Sequence, residues 1–356
     1  MQIGIAGLPG SGKTTLFNAL AHQHAHVGGY AGVEPNLAVV KVPDERLDKL
    51  SELFQPVKHT PAEVRFVDVA GVAKGMGQES SAAVLAHLRT VDVLLQVIGA
   101  FQSERDARAD FEEFSLELQL ADLSQIEKRV ERLDKELRMG NKGTPAERAA
   151  KERELTVLHR LRPVLEAGQA ARTVELDADE AKAIASFGFL TLKPTLVVLN
   201  LADEQNGSTL VTAVSSLTVD LPLTSVLALP GKLEMELSEL SPEDAAEFMD
   251  ALGVTASELG AVTTEAYRLA ELISFFTAGD DECRAWTIRR GTNAQDAAGE
   301  IHSDLARGFI RAEVVRWDKL LEAGSEAAAK KHGWVRQEGK SYTVADGDVL
   351  HVLFNV

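Results

Sequence analysis

Short apolar runs alternate with amphipathic segments in the N-terminal part of the chain. The apolar runs lie at residues 3–6, 37–42, 64–69 and 91–98, and helical spacing of apolar side chains appears at 15–20 and 80–89. Continuous apolar runs predict buried strands, whereas a spacing of three or four residues predicts helices. Because strands that alternate with helices are typical of parallel sheets, we predict an α/β domain.

A different pattern begins beyond residue 110, where apolar side chains recur every three or four residues and predict a long helix. This apolar seam comprises Leu116, Leu120, Leu123, Ile126, Val130, Leu133 and Leu137. Residues 140–145 have a turn composition, and leucines 155, 158, 161 and 165 mark a second helix. The strand pattern returns at 196–199. We therefore predict a helical hairpin arm at 111–189, inserted between two parts of the α/β domain at 1–110 and 190–272.

The C-terminal part has shorter elements. Strands are predicted at 284–288, 309–315, 342–344 and 349–354, and helices at 296–301 and 318–321. Asp346-Gly347 has the sequence of a hairpin turn. We predict a compact α+β module at 273–356, a length of about 80 residues that can fold alone.

Composition narrows the class of protein. Of the 356 residues, 45% are hydrophobic and 26% are charged, as in ordinary globular proteins. No apolar run reaches membrane-spanning length, and the first strand begins too early to leave room for a signal peptide. A single cysteine, Cys283, excludes an internal disulfide framework. We therefore expect a cytoplasmic protein without a membrane partner.

Charge is unevenly distributed. The net charge is −17, which argues against a general nucleic-acid-binding surface and against DNA as a partner. Residues 128–162 nevertheless carry eleven Lys and Arg against six Asp and Glu, a net charge of +5. This basic arm either keeps exposed helices soluble or contacts RNA phosphates, and the sequence leaves both interpretations open.

The segment between the first strand and the first helix fits the P-loop pattern GxxxxGK[ST]. Its glycines allow backbone amides to converge on phosphate oxygens, and the following helix adds its partial positive charge. Lys13 is expected to reach the β- and γ-phosphates and to be catalytic, while the Thr14 hydroxyl ligates Mg²⁺. The residues predicted to surround the phosphates are Leu8, Pro9, Gly10, Ser11, Gly12, Lys13, Thr14 and Thr15.

Two later motifs follow strands. Asp68-Val69-Ala70-Gly71 matches DxxG, so Asp68 is predicted to hold Mg²⁺ through water and the Gly71 amide to contact the γ-phosphate. Asn200-Leu201-Ala202-Asp203 lies where GTPases carry the base-reading NKxD motif. These motifs predict a Mg²⁺-dependent nucleotide site.

Further motifs extend nearly from end to end. They include Val33-Glu34-Pro35-Asn36, Asp68 to Gly75, Phe187 to Pro194, Phe275 to Gly279, Arg284 to Ile288, Arg307 to Ala312 and Asp346 to Val349. With these landmarks the chain resembles the YchF family of P-loop NTPases, in the Obg branch of translation-factor GTPases. The resemblance implies a G domain, an inserted helical arm and a C-terminal TGS domain. It also implies ribosome association, with contacts to the large subunit through the arm and the TGS domain, and a preference for ATP over GTP.

At the catalytic site the chain agrees with this family at Val72 and departs from it at other positions. Val72 stands where many GTPases orient water with Gln; the family also has a hydrophobic residue here, so hydrolysis is expected to be slow. Gly10 replaces an Asn that in related GTPases helps to hold a monovalent cation, and Gly32 replaces a switch Thr. The segment after Phe101 is shorter than usual and lacks a His-bearing loop.

Base choice depends on the loop after residue 199. Leu201 replaces the Lys of NKxD, whereas Asp203 retains the carboxylate that takes both N–H donors of guanine. Leu199 and Asn200 are expected to contact the base, together with Leu227 after a later strand. The resemblance favours ATP, with GTP or dual use as the alternative.

Three classes of function are compatible with these residues. The first is a slow, ribosome-linked NTPase that acts as a switch, and it is the one we favour. The second is a small-molecule kinase, which the absence of an Arg-rich lid and the presence of the C-terminal module disfavour. The third is a non-hydrolysing, nucleotide-gated adaptor, which Val72 and Gly32 keep open.

Overall fold

The computed structural model describes residues 1–21, 35–69, 78–138, 144–203, 205–252 and 257–355. The strands are β1 (Gln2–Ala6), β2 (Asn36–Lys41), β3 (Lys58–Thr60), β4 (Glu63–Asp68), β5 (Val93–Ile98), β6 (Thr195–Asn200), β7 (Thr224–Leu229), β8 (Leu272–Thr277), β9 (Glu282–Arg289), β10 (Phe309–Arg316), β11 (Arg336–Glu338) and β12 (Asp348–Phe354).

The α-helices are α1 (Lys13–Ala21), α2 (Glu45–Phe54), α3 (Gln78–Thr90), α4 (Ala107–Arg138), α5 (Pro145–Glu166), α6 (Ala178–Ile184), α7 (Ser208–Thr218), α8 (Gly231–Ser238), α9 (Pro242–Leu252), α10 (Leu259–Leu269), α11 (Ala294–Ile301), α12 (Ser303–Arg307), α13 (Trp317–Ala323) and α14 (Glu326–Lys331). No helix in these described ranges is both long enough and apolar enough to cross a membrane.

The first sheet has the order β2-β4-β1-β5-β6-β7. Strand β1 pairs in parallel with both β4 and β5, and β6 pairs in parallel with β5 and β7. Strands β5 and β6 are buried along their whole length, which agrees with their continuous apolar sequences. In parallel sheets, ligands bind at the carboxyl ends of the strands, and this is where β1 leads into the P-loop. The α/β fold predicted from the sequence is confirmed.

The inserted arm consists of α4 and α5. Thr144 caps α5 through a capping box with Glu147, and Pro145 occupies the first turn. The buried contacts between the helices come from Ile126, Val130, Leu133, Val157, Leu158, Leu161 and Leu165. The predicted seam is wrong at its N-terminal end, because Leu116 and Leu120 are exposed and Phe114 and Leu118 are buried in their place. The predicted turn lies largely outside the described residues.

A buried carboxylate joins the arm to the strand that follows it. Asp122 of α4 has no exposed surface, and its oxygens accept hydrogen bonds from the Leu190 amide at 3.1 Å and the Thr191 amide at 2.8 Å. The Arg89 guanidinium donates to the same carboxylate at 2.7 Å. Because Arg89 belongs to α3 and Thr191 precedes β6, one carboxylate holds the base of the arm to two elements of the α/β domain.

The second sheet has the order β11-β10-β12-β8-β9-β3 and is mixed. Strand β12 pairs antiparallel with β10 and parallel with β8, while β3 adds to β9 in parallel. The hairpin predicted at Asp346-Gly347 is therefore wrong, because β12 has no adjacent hairpin partner in sequence. Residues 342–344 form only an isolated bridge, between Thr343 and Asn293.

The described chain divides into two compact units, Met1–Ala38 with Arg65–Val262, and Val39–Val64 with Thr263–Val356. This grouping differs from the predicted division, because residues 39–64 join the C-terminal unit. Within that unit the Arg46 guanidinium lies 5.2 Å from the ring centre of Phe276 and 3.0 Å from Asp346. The second sheet of this unit also includes β3, which lies much earlier in the chain than the other strands.

Candidate functional site

The P-loop lies between β1 and α1. The backbone φ values are 145° at Gly7, 74° at Gly10 and 91° at Gly12, and residues with a Cβ rarely adopt such values. A Cβ on Gly12 would lie 2.0 Å from the Asn200 amide nitrogen, so glycine is also required there by space. The sequence therefore forms this turn because its glycines allow both the backbone conformation and the close approach of the neighbouring loop. The turn ends at Lys13, the first residue of α1.

Lys13 is directed into the turn. Its side chain is buried, and its Nζ donates a hydrogen bond to the Leu8 carbonyl at 2.9 Å. Burial lowers the pKa of Lys13 to about 8, the Asp68 carboxylate opposes that shift, and the positive charge of Arg105 adds to it. A phosphate beside this ammonium would compensate for its lost hydration, which is the chemistry expected of a P-loop lysine.

Thr14 and Asp68 meet at the start of α1. The Thr14 hydroxyl donates to Asp68 Oδ2 at 3.0 Å, while Asp68 Oδ1 is buried without a hydrogen-bond partner among the described residues. Burial raises the pKa of Asp68, and hydrogen bonds from Thr14 and Asn36 partly offset this shift. An unpaired buried carboxylate oxygen next to a hydroxyl fits Mg²⁺, which prefers oxygen ligands. Thr14 and Asp68 are thus the residues that would hold this ion.

Asn200 connects the P-loop with the loop after β7. Its side-chain amide donates to the Ser11 carbonyl at 3.1 Å, and its side-chain oxygen accepts from the Gly231 amide at 2.9 Å. Because both ends of the Asn200 side chain are used, its main structural role is to hold these two loops together. Gly231 and the following Lys232 were not predicted as site residues, although a glycine after a strand is a recognisable signal.

The other predicted base contacts are dispersed. Leu199 has no exposed surface and belongs to a core cluster, so it is not brought to the surface of the site. Asp203 is exposed, with Oδ2 3.9 Å from Lys232 Nζ. Leu227 and Leu201 line a cavity of about 350 Å³ beside this loop.

The structure places the remaining predicted phosphate contacts in the same turn. Leu8 and Ser11 are buried, Pro9 and Gly10 are exposed, and Thr15 is half-buried. Gly71 and Val72, like Gly32, lie outside the described residues. The described part of the site therefore consists of the P-loop, Asp68 and the Asn200 loop.

Arg105 was not predicted to belong to the site. Its Nη1 donates to the Pro9 carbonyl at 3.2 Å, and its Nε lies 3.1 Å from Asp110 Oδ2. The sequence contained an indirect signal, because Arg105 belongs to the shortened segment after Phe101. No local pattern, however, reports a contact between residues 96 positions apart.

The basic arm carries much of its charge in ion pairs. The pairs include Arg129 with Glu154 at 2.6 Å and Lys151 with Glu136 at 2.9 Å. Among the described residues of the basic segment 128–162, Lys128 and Arg138 are the Lys and Arg side chains for which no ion pair is found. Exposed ion pairs contribute little energy, so they limit free charge without excluding phosphate contacts.

The parallel sheet, the glycine-rich turn and the Thr14–Asp68 contact define a P-loop NTPase of the G-domain class. Comparisons with known proteins agree. A family model described as "50S ribosome-binding GTPase" matches residues 2–137, and the YchF-GTPase_C model, described as a protein of unknown function, matches residues 272–355.

The chain belongs to the YchF family. It is 38% identical over 372 residues to the ribosome-binding ATPase YchF of Bacillus subtilis, with all of both chains covered. It is 36% identical to that of Escherichia coli O157:H7, covering 100% of this chain and 99% of the relative. The solved structure of the Schizosaccharomyces pombe YchF GTPase matches with a TM-score of 0.84 at 29% identity, covering 99% of this chain and 97% of that one. The resemblance inferred from the sequence is confirmed.

Proposed function

We propose that this protein is a Mg²⁺-dependent nucleoside triphosphatase that hydrolyses its nucleotide slowly and acts as a ribosome-associated switch. The observation that carries the proposal is the convergence of Lys13, Thr14 and Asp68 at the glycine turn, with distances of 2.9 Å and 3.0 Å for the contacts described above. Phosphoryl transfer depends on positioning and charge neutralisation rather than on covalent chemistry by the protein.

Each of these residues has a separate task. The P-loop amides orient the triphosphate, and Lys13 places a positive charge at its β- and γ-phosphates. Thr14 and Asp68 would hold Mg²⁺, which would neutralise phosphate charge. Gly71 would contact the γ-phosphate through its amide. Val72 cannot hydrogen-bond the attacking water, which is why we propose a low basal rate.

We propose ATP as the preferred nucleotide, with GTP or dual use as the alternative. The Bacillus subtilis and Escherichia coli relatives are named ATPases, whereas the Schizosaccharomyces pombe structure is named a GTPase. Leu201 is buried and offers no lysine stem to stack on guanine. Asp203 is exposed beside Lys232, whose positive charge competes with guanine N–H groups for the same carboxylate.

We further propose that the partner is the ribosome, contacted on its large subunit through the basic arm and the C-terminal module, and that the protein acts in the cytoplasm. The family model for residues 2–137 and the names of the relatives support a ribosomal partner. In the described part of residues 128–162, no ion pair is found for Lys128 and Arg138, whereas the other Lys and Arg side chains there are ion-paired. RNA phosphates need no sequence-specific reading by such side chains.

Phosphate release tests the proposal. Wild-type protein and Lys13→Ala are compared with Mg·ATP and Mg·GTP, each with and without ribosomes. We expect turnover that requires Mg²⁺, rises with ribosomes and is lost in Lys13→Ala. Turnover equal to that of Lys13→Ala under every condition, combined with intact nucleotide binding, would instead indicate a non-hydrolysing adaptor.

A further inference from the structure

Arg105 reaches the P-loop from a separate segment of the chain. Its Nη1 donates to the Pro9 carbonyl at 3.2 Å and lies 3.8 Å from the position that a Cβ on Gly10 would occupy. Gly10 has no side chain of its own. The guanidinium therefore fills the space beside the exposed rim of the turn, on the part of the loop formed by Pro9 and Gly10.

The backbone on both sides of Arg105 is fixed. Its amide donates to the Gln102 carbonyl at 3.0 Å, and the next residue, Asp106, accepts from the Arg108 amide at 2.9 Å at the start of α4. The Phe101 ring lies 3.7 Å from the Cβ position of Gly12. The segment from Phe101 to Asp106 is thus held against the P-loop at several points, so the position of Arg105 follows from ordered local structure.

The guanidinium retains donors for a further anion. Its Nε lies 3.1 Å from Asp110 Oδ2, yet that oxygen has no aligned hydrogen bond among the described residues. Arginine has five N–H donors in a planar fork that matches phosphate oxygens. The contacts with Pro9 and Asp110 leave part of this fork available.

Two cations consequently face the same turn. Burial is the main cause of the lowered pKa of Lys13, and the positive charge of Arg105 adds to it. The carboxylates of Asp68 and Asp110 offset part of this positive charge. A triphosphate on the P-loop would bring further negative charge to the turn that both cations contact.

We propose that Arg105 is a catalytic residue that contacts the terminal phosphate and stabilises the charge that develops there during hydrolysis. This inference rests on the proposed function and adds a residue to it. In the reaction, water bonds to the γ-phosphorus, the bond from that phosphorus to the β–γ bridging oxygen breaks, and the diphosphate leaves with the electron pair. The products are nucleoside diphosphate, inorganic phosphate and a proton. Arg105 transfers no proton and acts by charge and hydrogen bonding.

Arg105→Ala and Arg105→Lys test the inference, with Arg108→Ala as the matched control because Arg108 is exposed one turn further along. Two quantities are measured for each: the single-turnover rate of Mg·ATP hydrolysis, and the affinity for Mg·ADP with and without aluminium fluoride, which mimics the transferring phosphoryl group. Arg105→Ala is expected to lower the rate by about 10³-fold, the lower end of what such arginines contribute. It should weaken the complex with aluminium fluoride while changing ADP affinity by less than about threefold.

Arg105→Lys should recover part of the rate, since it keeps the charge and loses the fork. An equal loss of affinity for Mg·ADP with and without aluminium fluoride would overturn the inference. Arg105 would then only stabilise the conformation of the turn at Pro9. An unchanged rate in Arg105→Ala would overturn it as well. Failure of the proposed function looks different: the wild-type protein itself would then show no hydrolysis above that of Lys13→Ala.

Discussion

Thr14 Oγ1 and Asp68 Oδ2 are 3.0 Å apart, which joins the first residues of α1 to the end of β4. The second oxygen of Asp68 is buried and unpaired among the described residues. A folded protein retains such an uncompensated group at a cost, and function is a common reason for retaining it. The buried Asp68 oxygen, which is unfavourable for folding, therefore lies at the proposed Mg²⁺ site.

Asp68→Asn should have opposite effects on stability and on function. Burial raises the pKa of Asp68, so the ionised carboxylate disfavours folding at pH values above that pKa. The variant without nucleotide should therefore melt at a higher temperature than wild type near neutral pH. Its affinity for Mg·ATP should fall about tenfold or more, because a charged contact with the ion is lost.

Calorimetric melting and Mg·ATP titration measure these two effects. Glu63→Gln, at an exposed position on the same strand, serves as the control and should change neither. A nucleotide-free Asp68→Asn protein that melts below wild type would show that the carboxylate supports the fold, contrary to this account.

Lys13 should make the stability of the nucleotide-free protein depend on pH. Its folded pKa is about 8, below the ordinary value of 10.5. Between these values the unfolded chain holds a proton that the folded chain has released, so the free energy of unfolding rises with pH by up to about 1.4 kcal/mol per unit. Below pH 8 this contribution is constant and unfavourable.

Urea unfolding of wild type and Lys13→Met, at about pH 7.5 and about pH 9.5, isolates the effect as a difference between the two proteins. The variant should be the more stable of the two at the lower pH, and its advantage should shrink at the higher pH. If the difference in the free energy of unfolding between the two proteins were the same at both pH values, the prediction for Lys13 would be wrong.

Asp203 should influence GTP more than ATP. If its carboxylate binds guanine, Asp203→Ala should lower the affinity for GTP by about tenfold, because a charged hydrogen-bonded contact is lost. The affinity for ATP should be unchanged. Glu236→Ala is the matched control, because Glu236 lies 3.6 Å from the same Lys232 and comes from α8. Competition titrations with both nucleotides measure the ratio of the affinity for GTP to the affinity for ATP. Equal affinities in all three proteins would remove this loop from base selection.

Charge reversal on the arm should weaken ribosome binding. The double variant Lys128→Glu/Arg138→Glu changes two side chains for which no ion pair is found in the described arm. The expected loss is about tenfold in affinity at moderate salt, and the dependence on salt should become less steep. Cosedimentation with ribosomes provides the measurement. Arg65→Glu/Arg108→Glu, at two exposed positions outside residues 111–189 and outside the C-terminal module, is the matched double-charge control; an equal loss there would point away from the arm.

The strongest sequence predictions came from features that are local in the chain. The GxxxxGK[ST] pattern fixes the positions of Gly7 and Gly12. Both glycines have positive φ values in the structure, as the turn requires. Strands β5 and β6 were recognisable because their sequences are mostly apolar, as expected of strands that are buried on both faces. The helical arm was visible from its spacing, although its register was shifted near Leu116, because the same helix packs on different neighbours along its length.

Features that depend on distant contacts were missed. Strand β3 has three residues, and it is a strand only because β9, far along the chain, offers it an edge. Residues 342–344 have strand-like composition but form a single bridge. Arg105 belongs to a segment without a motif, and its contact with Pro9 becomes evident only in three dimensions.

The binding of a nucleoside triphosphate at the P-loop is measured by calorimetric titration of the wild-type protein with ATP in the presence of Mg²⁺. We expect saturable binding at one site, weakened about tenfold or more in Lys13→Ala by loss of a charged contact to phosphate. Absence of binding for ATP and for GTP, in a protein shown to be folded, would contradict it.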